Sequence, residues 1–272
     1  MHPEFSVELS KEDIDRFELP TEIPRYIEQA RMDLGLEPSE MRILDWGCGR
    51  GESVGKLNAM GYDAYGIDID PGVIAKGDQA LKACGFDTDR LSLIREDGGI
   101  DHADGFFHFV YSYQVLEHVA DLDRVTNEIA RVTSEHGRGL HIFPAQHRPI
   151  EGHLFMPIVH WLPKNGVRRS AISACTRLGM DPQWPNAVGK SPTERSRIYY
   201  DYSVDETYYR PVRDIRKTFS SSGLSSELVV LEHPGVRQHK LLGALSRTGL
   251  ARAPLEWAIA EFQTVELATE KR

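Results

Sequence analysis

Residues 43–53 read ILDWGCGRGES, a short apolar run that ends in an acid and then sets three glycines at alternate positions. Glycine permits positive φ and leaves room for another molecule to lie against the backbone. A strand that feeds a glycine-rich turn opening a helix is the usual way for an open α/β sheet to meet a nucleotide-like ligand. This one stretch therefore predicts a sheet protein whose ligand sits outside the carboxyl ends of its strands.

The pattern on either side agrees. Residues 21–36 predict a helix, with Thr21 as its cap and Gly35 near its end. After the glycine turn, ESVGKLNAMG predicts a helix closed by Gly61, and YDAYGIDID a second strand. Pro71 opens another helix, where proline in the first turn is well tolerated. RLSLIRED and GFFHFVYSYQ read as the third and fourth strands, the latter rich in aromatic and β-branched residues. DLDRVTNEIARVTSEHG predicts an amphipathic helix, with Leu122, Val125, Ile129 and Val132 at three- and four-residue spacing, and RGLHIFPA a fifth strand. Such alternation implies right-handed crossovers and a mainly parallel sheet covered on both faces. From 146 to about 205 prolines, tryptophans and tyrosines replace clean periodicity. It resumes with a helix near PVRDIRKTFSSSG, a strand SSELVVLEH, a helical stretch through APLEWAIA and a last strand FQTVELATE. The fold class expected is α/β, doubly wound, with seven strands and an insertion after the fifth.

The dinucleotide fingerprint is G-x-G-x-x-G, with a pyrophosphate over the turn. Here the spacing is G-x-G-x-G and Asp45 ends the strand. An acid there suits a cation better than a pyrophosphate, which disfavours a nicotinamide-dependent oxidoreductase. LDWGCGRGES is similar to the first motif of the class I S-adenosylmethionine-dependent methyltransferases. YGIDIDPGVI resembles the second motif of that family, LIREDG the third, and the stretch from FHFVYSYQ to GRGLHIFPA its fourth strand, following helix and fifth strand. The resemblance covers 41–145 well and 206–272 loosely.

It implies a Rossmann-like methyltransferase fold and S-adenosyl-L-methionine as cofactor, leaving as S-adenosyl-L-homocysteine. It also implies cofactor contacts from Asp45, Gly47, Gly49, Gly51, Asp68, Ile69, Asp97, Gly98 and Gln114. Asp68 would accept from the ribose hydroxyls, Asp97 would lie near the adenine amine, and Asp45 would serve the α-ammonium. On this reading 1–40 is an N-terminal helical cap, 41–145 the cofactor-binding half, 146–205 an acceptor-side insertion or lid, and 206–272 the half that completes the sheet.

Methyl transfer from a sulfonium needs orientation and exclusion of water, and a base only if the acceptor holds its proton tightly. Histidine is the natural base near neutrality. His118 lies in QVLEHVAD just after the fourth strand, and His147, His153 and His160 lie in AQHRPIEGHLFMPIVHWLP. His118, His153 and His147 are candidate bases. The three insertion histidines are spaced by 6 and 7 residues and fit no regular zinc motif, so no metal site is expected. His160, Trp161, Tyr199, Tyr200 and Arg197 are candidate acceptor contacts, since aromatic rings with polar tips suit sugars and heterocycles.

The net charge of −9 argues against a general nucleic-acid binder. Residues 146–217 nonetheless carry 12 Lys/Arg against 7 Asp/Glu, a local excess of +5 that raises an anionic acceptor. Three scattered cysteines, no leader-like N-terminus and no apolar run of about 20 residues point to the cytoplasm and no transmembrane segment. The expected activity is methylation of a small-molecule or glycolipid acceptor, most simply O-methylation of a sugar or related metabolite. The alternatives are an RNA or protein methyltransferase and a non-catalytic cofactor-binding protein. The family's Asn-Pro-Pro-aromatic motif for amino groups is replaced by YSYQ, and oligomeric state is open.

Overall fold

A computed structural model describes residues 10–86 and 89–272. The part of the expected N-terminal cap that lies in 1–9 falls outside the described residues. The strands are β1 (Arg42–Trp46), β2 (Asp63–Asp68), β3 (Leu91–Leu93), β4 (Phe107–Tyr113), β5 (Thr133–Pro144), β6 (Leu224–Leu228) and β7 (Thr264–Lys271). The helices that cover them are α1 (Lys11–Arg16), α2 (Glu22–Leu34), α3 (Glu52–Ala59), α4 (Pro71–Ala83) and α5 (Leu122–Val132). Then come α6 (Gly166–Arg177) and α7 (Pro192–Asp205) in the insertion, and α8 (Val212–Ser221), α9 (Pro234–Gln238), α10 (Lys240–Leu245) and α11 (Gly249–Phe262) beyond it.

The strands form one seven-stranded sheet in the order β3-β2-β1-β4-β5-β7-β6. β1 to β5 pair parallel, and β7 runs antiparallel between β5 and β6. Period-two alternation divides the core in two. Ile43, Ala64, Phe109 and Tyr111 meet Ile14, Ile27, Leu57 and Leu81 of α1 to α4. Leu44, Trp46, Ile67 and Val110 meet Ile129, Val212, Phe219 and Ala260 of α5, α8 and α11. The doubly wound, mainly parallel sheet with an insertion after its fifth strand is as the pattern predicts.

Three local expectations need correction. Thr21 makes no side-chain cap; its backbone is already helical and its hydroxyl donates to Glu22. The helix over 121–137 stops at Val132, where its apolar stripe ends, and Thr133 turns its hydroxyl back onto the Ile129 carbonyl. The chain then enters β5 through His136 at φ +61°, and the register jumps between Phe107 and Phe109 of β4. The strand expected over SSELVVLEH ends at Leu228, because Val229, Val230 and Leu231 are all buried and close into a short 3-10 turn.

The insertion has a small core of its own: Leu154, Met156, Val159, Ile172, Ala187, Tyr199 and Tyr200. Arg168 is its organiser. Buried on α6, it donates to the carbonyls of Leu162, Ser203 and His160, acceptors that end one stretch and close α7. Exposed Lys164 does the same for Val204 and Thr207. Such cationic donors are well suited to helix-terminal carbonyls. Arg168→Ala should leave those carbonyls without partners at about 1–3 kcal/mol, so hydrogen exchange should speed up across 159–207 while the sheet amides stay protected.

Candidate active site

The carboxyl ends of β1, β2 and β4 lie side by side, since β1 is the strand between the other two. The chain leaving β1 turns through Gly47 at φ +81° and Gly51 at φ +78°. A Cβ on Gly47 would lie 2.5 Å from Val115 Cγ2, and one on Gly51 would lie 2.8 Å from Leu91 Cδ2. A side chain at either position is excluded by backbone conformation and by space together. The amides of Gly47 and Cys48 both donate to the Ile67 carbonyl, at 2.8 and 2.9 Å, which ties the turn to β2.

Asp68 ends β2. One carboxylate oxygen accepts from the Gly49 amide and the other from the Asp70 amide, each at 3.0 Å. Each oxygen keeps a second lone pair, so this fixed carboxylate can still accept from two hydroxyls. Ile69 beside it is an apolar residue left 77% exposed at a strand end. Asp97 is exposed after β3 and is pinned by the Gly99 amide and Arg95. Gly98, at φ +76°, has the Arg124 guanidinium where a Cβ would stand. Gln114 holds φ +57° at the end of β4 with its amide bonded to the Ile142 carbonyl. A non-glycine residue in that region is strained, which is frequent at functional sites.

Asp45 is buried beneath the glycine turn, where it accepts the Ser53 hydroxyl and lies alongside the Tyr111 hydroxyl. Burial pushes its carboxyl up to about 6, against the pull of Ser53 and Tyr111; the charges of Asp68 and Glu52 push the same way as burial.

After β4 the chain makes one 3-10 turn, Leu116–His118. The insertion docks on it. The Tyr208 amide donates to the Glu117 carbonyl at 2.6 Å, Arg210 donates to the Ala120 carbonyl at 2.7 Å, and His118 Nδ1 meets the Glu206 carbonyl at 2.6 Å. His118 Nε2 stands 3.3 Å from His153 Nε2. His153 Nδ1 is 3.1 Å from Glu151, whose carboxylate also accepts the Leu154 amide and the Tyr209 hydroxyl. Burial alone would raise the Glu151 carboxyl, but the bonds from His153 and Tyr209 outweigh it and hold it near 2.

Residues 44–140, which carry the glycine turn, Asp68, Asp97 and the 116–118 turn, match the family described as "Methyltransferase domain". Residues 44–140 form a methyltransferase domain of the class I S-adenosylmethionine-dependent kind. No curated protein matches the chain. Its fold is shared by geranyl diphosphate C-methyltransferase from Streptomyces coelicolor A3(2), at 16% identity and TM-score 0.51 over 92% of this chain and 76% of that one. It is also similar to YcgJ from Bacillus subtilis, at 15% identity and TM-score 0.50 over 92% and 97%. An S-adenosylmethionine-dependent methyltransferase from Mesorhizobium loti matches at 17% identity and TM-score 0.50 over 90% and 98%. At such identities the likeness is one of fold.

The residues expected on the acceptor side do not all gather. His118 and His153 meet, whereas His147 binds Glu261 of α11 and packs edge-on to Trp161. His160 is buried against Tyr209, and burial lowers it to about 4. Trp161 is 45% exposed, with its indole N–H on the Arg148 carbonyl. Tyr199 is fully buried in the insertion core, its hydroxyl on the Pro182 carbonyl, and Tyr200 packs under Arg169. Arg197 is exposed on α7. Glu117, Glu151 and Tyr209, absent from the sequence-derived candidates, are the residues that complete the histidine pair. Their one signal is position: Glu117 precedes His118, and Glu151 lies two residues before His153.

Because the folded-state carboxyl of Asp45 sits above its unfolded value of 3.8, its contribution is fully present below that value and is lost as pH rises through about 6. In the absence of cofactor, Asp45→Asn should therefore be more stable than wild type at pH 7.5, by about 3 kcal/mol from the size of the shift. The difference should vanish near pH 4, as denaturant unfolding at the two pH values would show.

Proposed function

We propose that this methyltransferase methylates a hydroxyl of a small-molecule acceptor, a sugar, glycolipid or related metabolite, in the crevice between the ends of β1, β2 and β4 and the docked insertion. The cofactor supplies a methyl group already activated on a sulfonium. Gly47, Gly49 and Gly51 let its methionine portion lie on the turn, with Asp45 beneath toward the α-ammonium. Asp68 accepts from both ribose hydroxyls. Ile69, Asp97 and Gly98 border the adenine, and Gln114 closes the β4 side. The left-handed turn through Gly47, Gly49 and Gly51, which leaves the backbone bare, supports this placement.

In the transfer an acceptor oxygen lone pair would form the new O–C bond as the S–C bond breaks toward sulfur, and the hydroxyl proton would pass, at the His118–His153 pair, to a ring nitrogen or to water. The observation that carries the choice of a hydroxyl is the His118–His153 contact, a polar pair held over the turn after β4 by fixed partners on both rings. A group that serves only to orient an amine or a carbon acceptor needs no such pair. His147 has no place in this role because Glu261 holds it elsewhere.

The RNA or protein reading rested on the basic segment 146–217, and five of its cations are engaged within the fold. Arg168 and Lys164 hold carbonyls, Arg195 pairs with Asp181, Arg210 latches the insertion, and Arg216 bonds the Ser226 carbonyl. Arg177, Lys190, Arg197 and Lys217 stay exposed and keep an anionic acceptor within the proposal. Among the described residues no helix is long and apolar enough to cross a membrane, and Cys48, Cys84 and Cys175 are thiols, which supports work in the cytoplasm.

Labelled methyl from S-adenosylmethionine should enter the polar-metabolite or glycolipid fraction of a cell extract and be recovered as an alkali-stable ether. Label in RNA or protein would replace this acceptor class, and binding without transfer to any fraction would favour the non-catalytic reading. Asp68→Ala, which loses two charge-assisted bonds, should weaken cofactor binding at least about thirtyfold, measured by calorimetry.

A further inference from the structure

We propose that Glu117, His118 and His153 together hold one divalent transition-metal cation beside the acceptor crevice. His118 Nε2 and His153 Nε2 are 3.3 Å apart, and Glu117 Oε1 is 3.9 Å from each. The point equidistant from the three atoms lies about 2.2 Å from each, the length of a bond from zinc to histidine or carboxylate. Three protein ligands of this kind leave coordination positions for water and for an acceptor oxygen.

The proton positions point the same way. His118 Nδ1 meets a backbone carbonyl, which can only accept, so that nitrogen carries the hydrogen. Glu151 accepts the Leu154 amide and the Tyr209 hydroxyl, and His153 Nδ1 faces the same carboxylate. Both rings thereby turn Nε2 toward the other. A histidine that donates its second N–H to a carbonyl or carboxylate is the usual partner arrangement of a metal ligand.

Glu117 supplies an independent observation. Its side chain is 1% exposed, and neither carboxylate oxygen accepts a hydrogen bond from another described residue. A buried carboxylate is otherwise paired or coordinates a metal. Two imidazoles and one carboxylate favour zinc, iron, cobalt or manganese over magnesium or calcium. Open positions on such an ion would suit an acceptor that presents a second oxygen next to the reacting hydroxyl. The site stands on the geometry of its ligands alone; its use in activating the acceptor rests on the O-methylation proposed above.

The test uses the full chain, stripped with a chelator and titrated with Co²⁺ as an optical probe. One equivalent should bind with visible ligand-field bands and be displaced by Zn²⁺. Glu117→Gln, which keeps the shape of the side chain, and His153→Ala should each weaken Co²⁺ binding by more than about tenfold, and Glu151→Gln, one bond removed, by about tenfold. His147→Ala should leave binding as it was. Circular dichroism and melting of each variant show that the fold is retained. Absence of stoichiometric Co²⁺ binding, or binding that survives both Glu117→Gln and His153→Ala, overturns the site and leaves a proton shared between the two rings. Co²⁺ binding with label transferred to carbon or nitrogen instead keeps the site and overturns the hydroxyl reading.

Discussion

The approach of two strand ends sets the conditions for everything else. Gly47, just past β1, lies so close to Val115, just past β4, that no Cβ fits between them. Parallel pairing of Ile43, Leu44 and Asp45 with Phe109, Val110 and Tyr111 brings the two ends level. The turn is then bonded into β2 through the Ile67 carbonyl and the Asp68 carboxylate. A ligand that lies on this turn meets backbone already held in place, so little ordering is left to oppose binding. The cofactor side is rigid for that reason, and its side chains are few.

The acceptor side is built by different means. Its core is small, and cations carry much of its cohesion: Arg168 and Lys164 gather carbonyls from segments distant in sequence. Part of the positive charge of the insertion is therefore scaffolding. Counting charges along a segment measures what it contains, whereas partner choice depends on which charges still face solvent once the segment is folded. The aromatic side chains behave similarly. Tyr199 is wholly interior, while Tyr209 reaches Glu151 and helps to orient His153.

What could be read in advance follows from the range of the interactions involved. The order of β1 to β5 and their helices rests on local periodicity and on turn residues such as Asp70–Pro71, which caps α4 as its sequence implies. The positions expected to meet the cofactor could be located in the fold because each lies within a few residues of a strand end. The end of α5 was misplaced because Thr133 to Gly137 suits a helix in isolation and is drawn into β5 by pairing with β4. The meeting of His118 and His153 spans 35 residues of chain and depends on how the insertion docks, which spacing alone does not encode. Judged by intervals among its own histidines, the insertion lacks a ligand set. The partners of His153 are instead Glu117 and His118, on the far side of β5.

Docking and site formation are consequently one event. Glu117 contributes its carbonyl to the Tyr208 amide and its carboxylate to the group around His118 and His153. The backbone half of that residue holds the insertion; the side-chain half is buried by it. Leu116, packed in the main core, anchors the turn from below, and Arg210 ties the far edge of the insertion to Ala120. With the insertion undocked, His153 and Glu151 leave together, His118 loses the carbonyl that fixes its tautomer, and Glu117 returns to water. On the proposed function, the turn after β1 would serve the cofactor without the insertion, whereas the polar face toward the acceptor exists only with it docked. Under that proposal such assembly would favour the productive encounter, because the groups meant to handle the acceptor oxygen come into register only where the insertion would also shield the sulfonium from water.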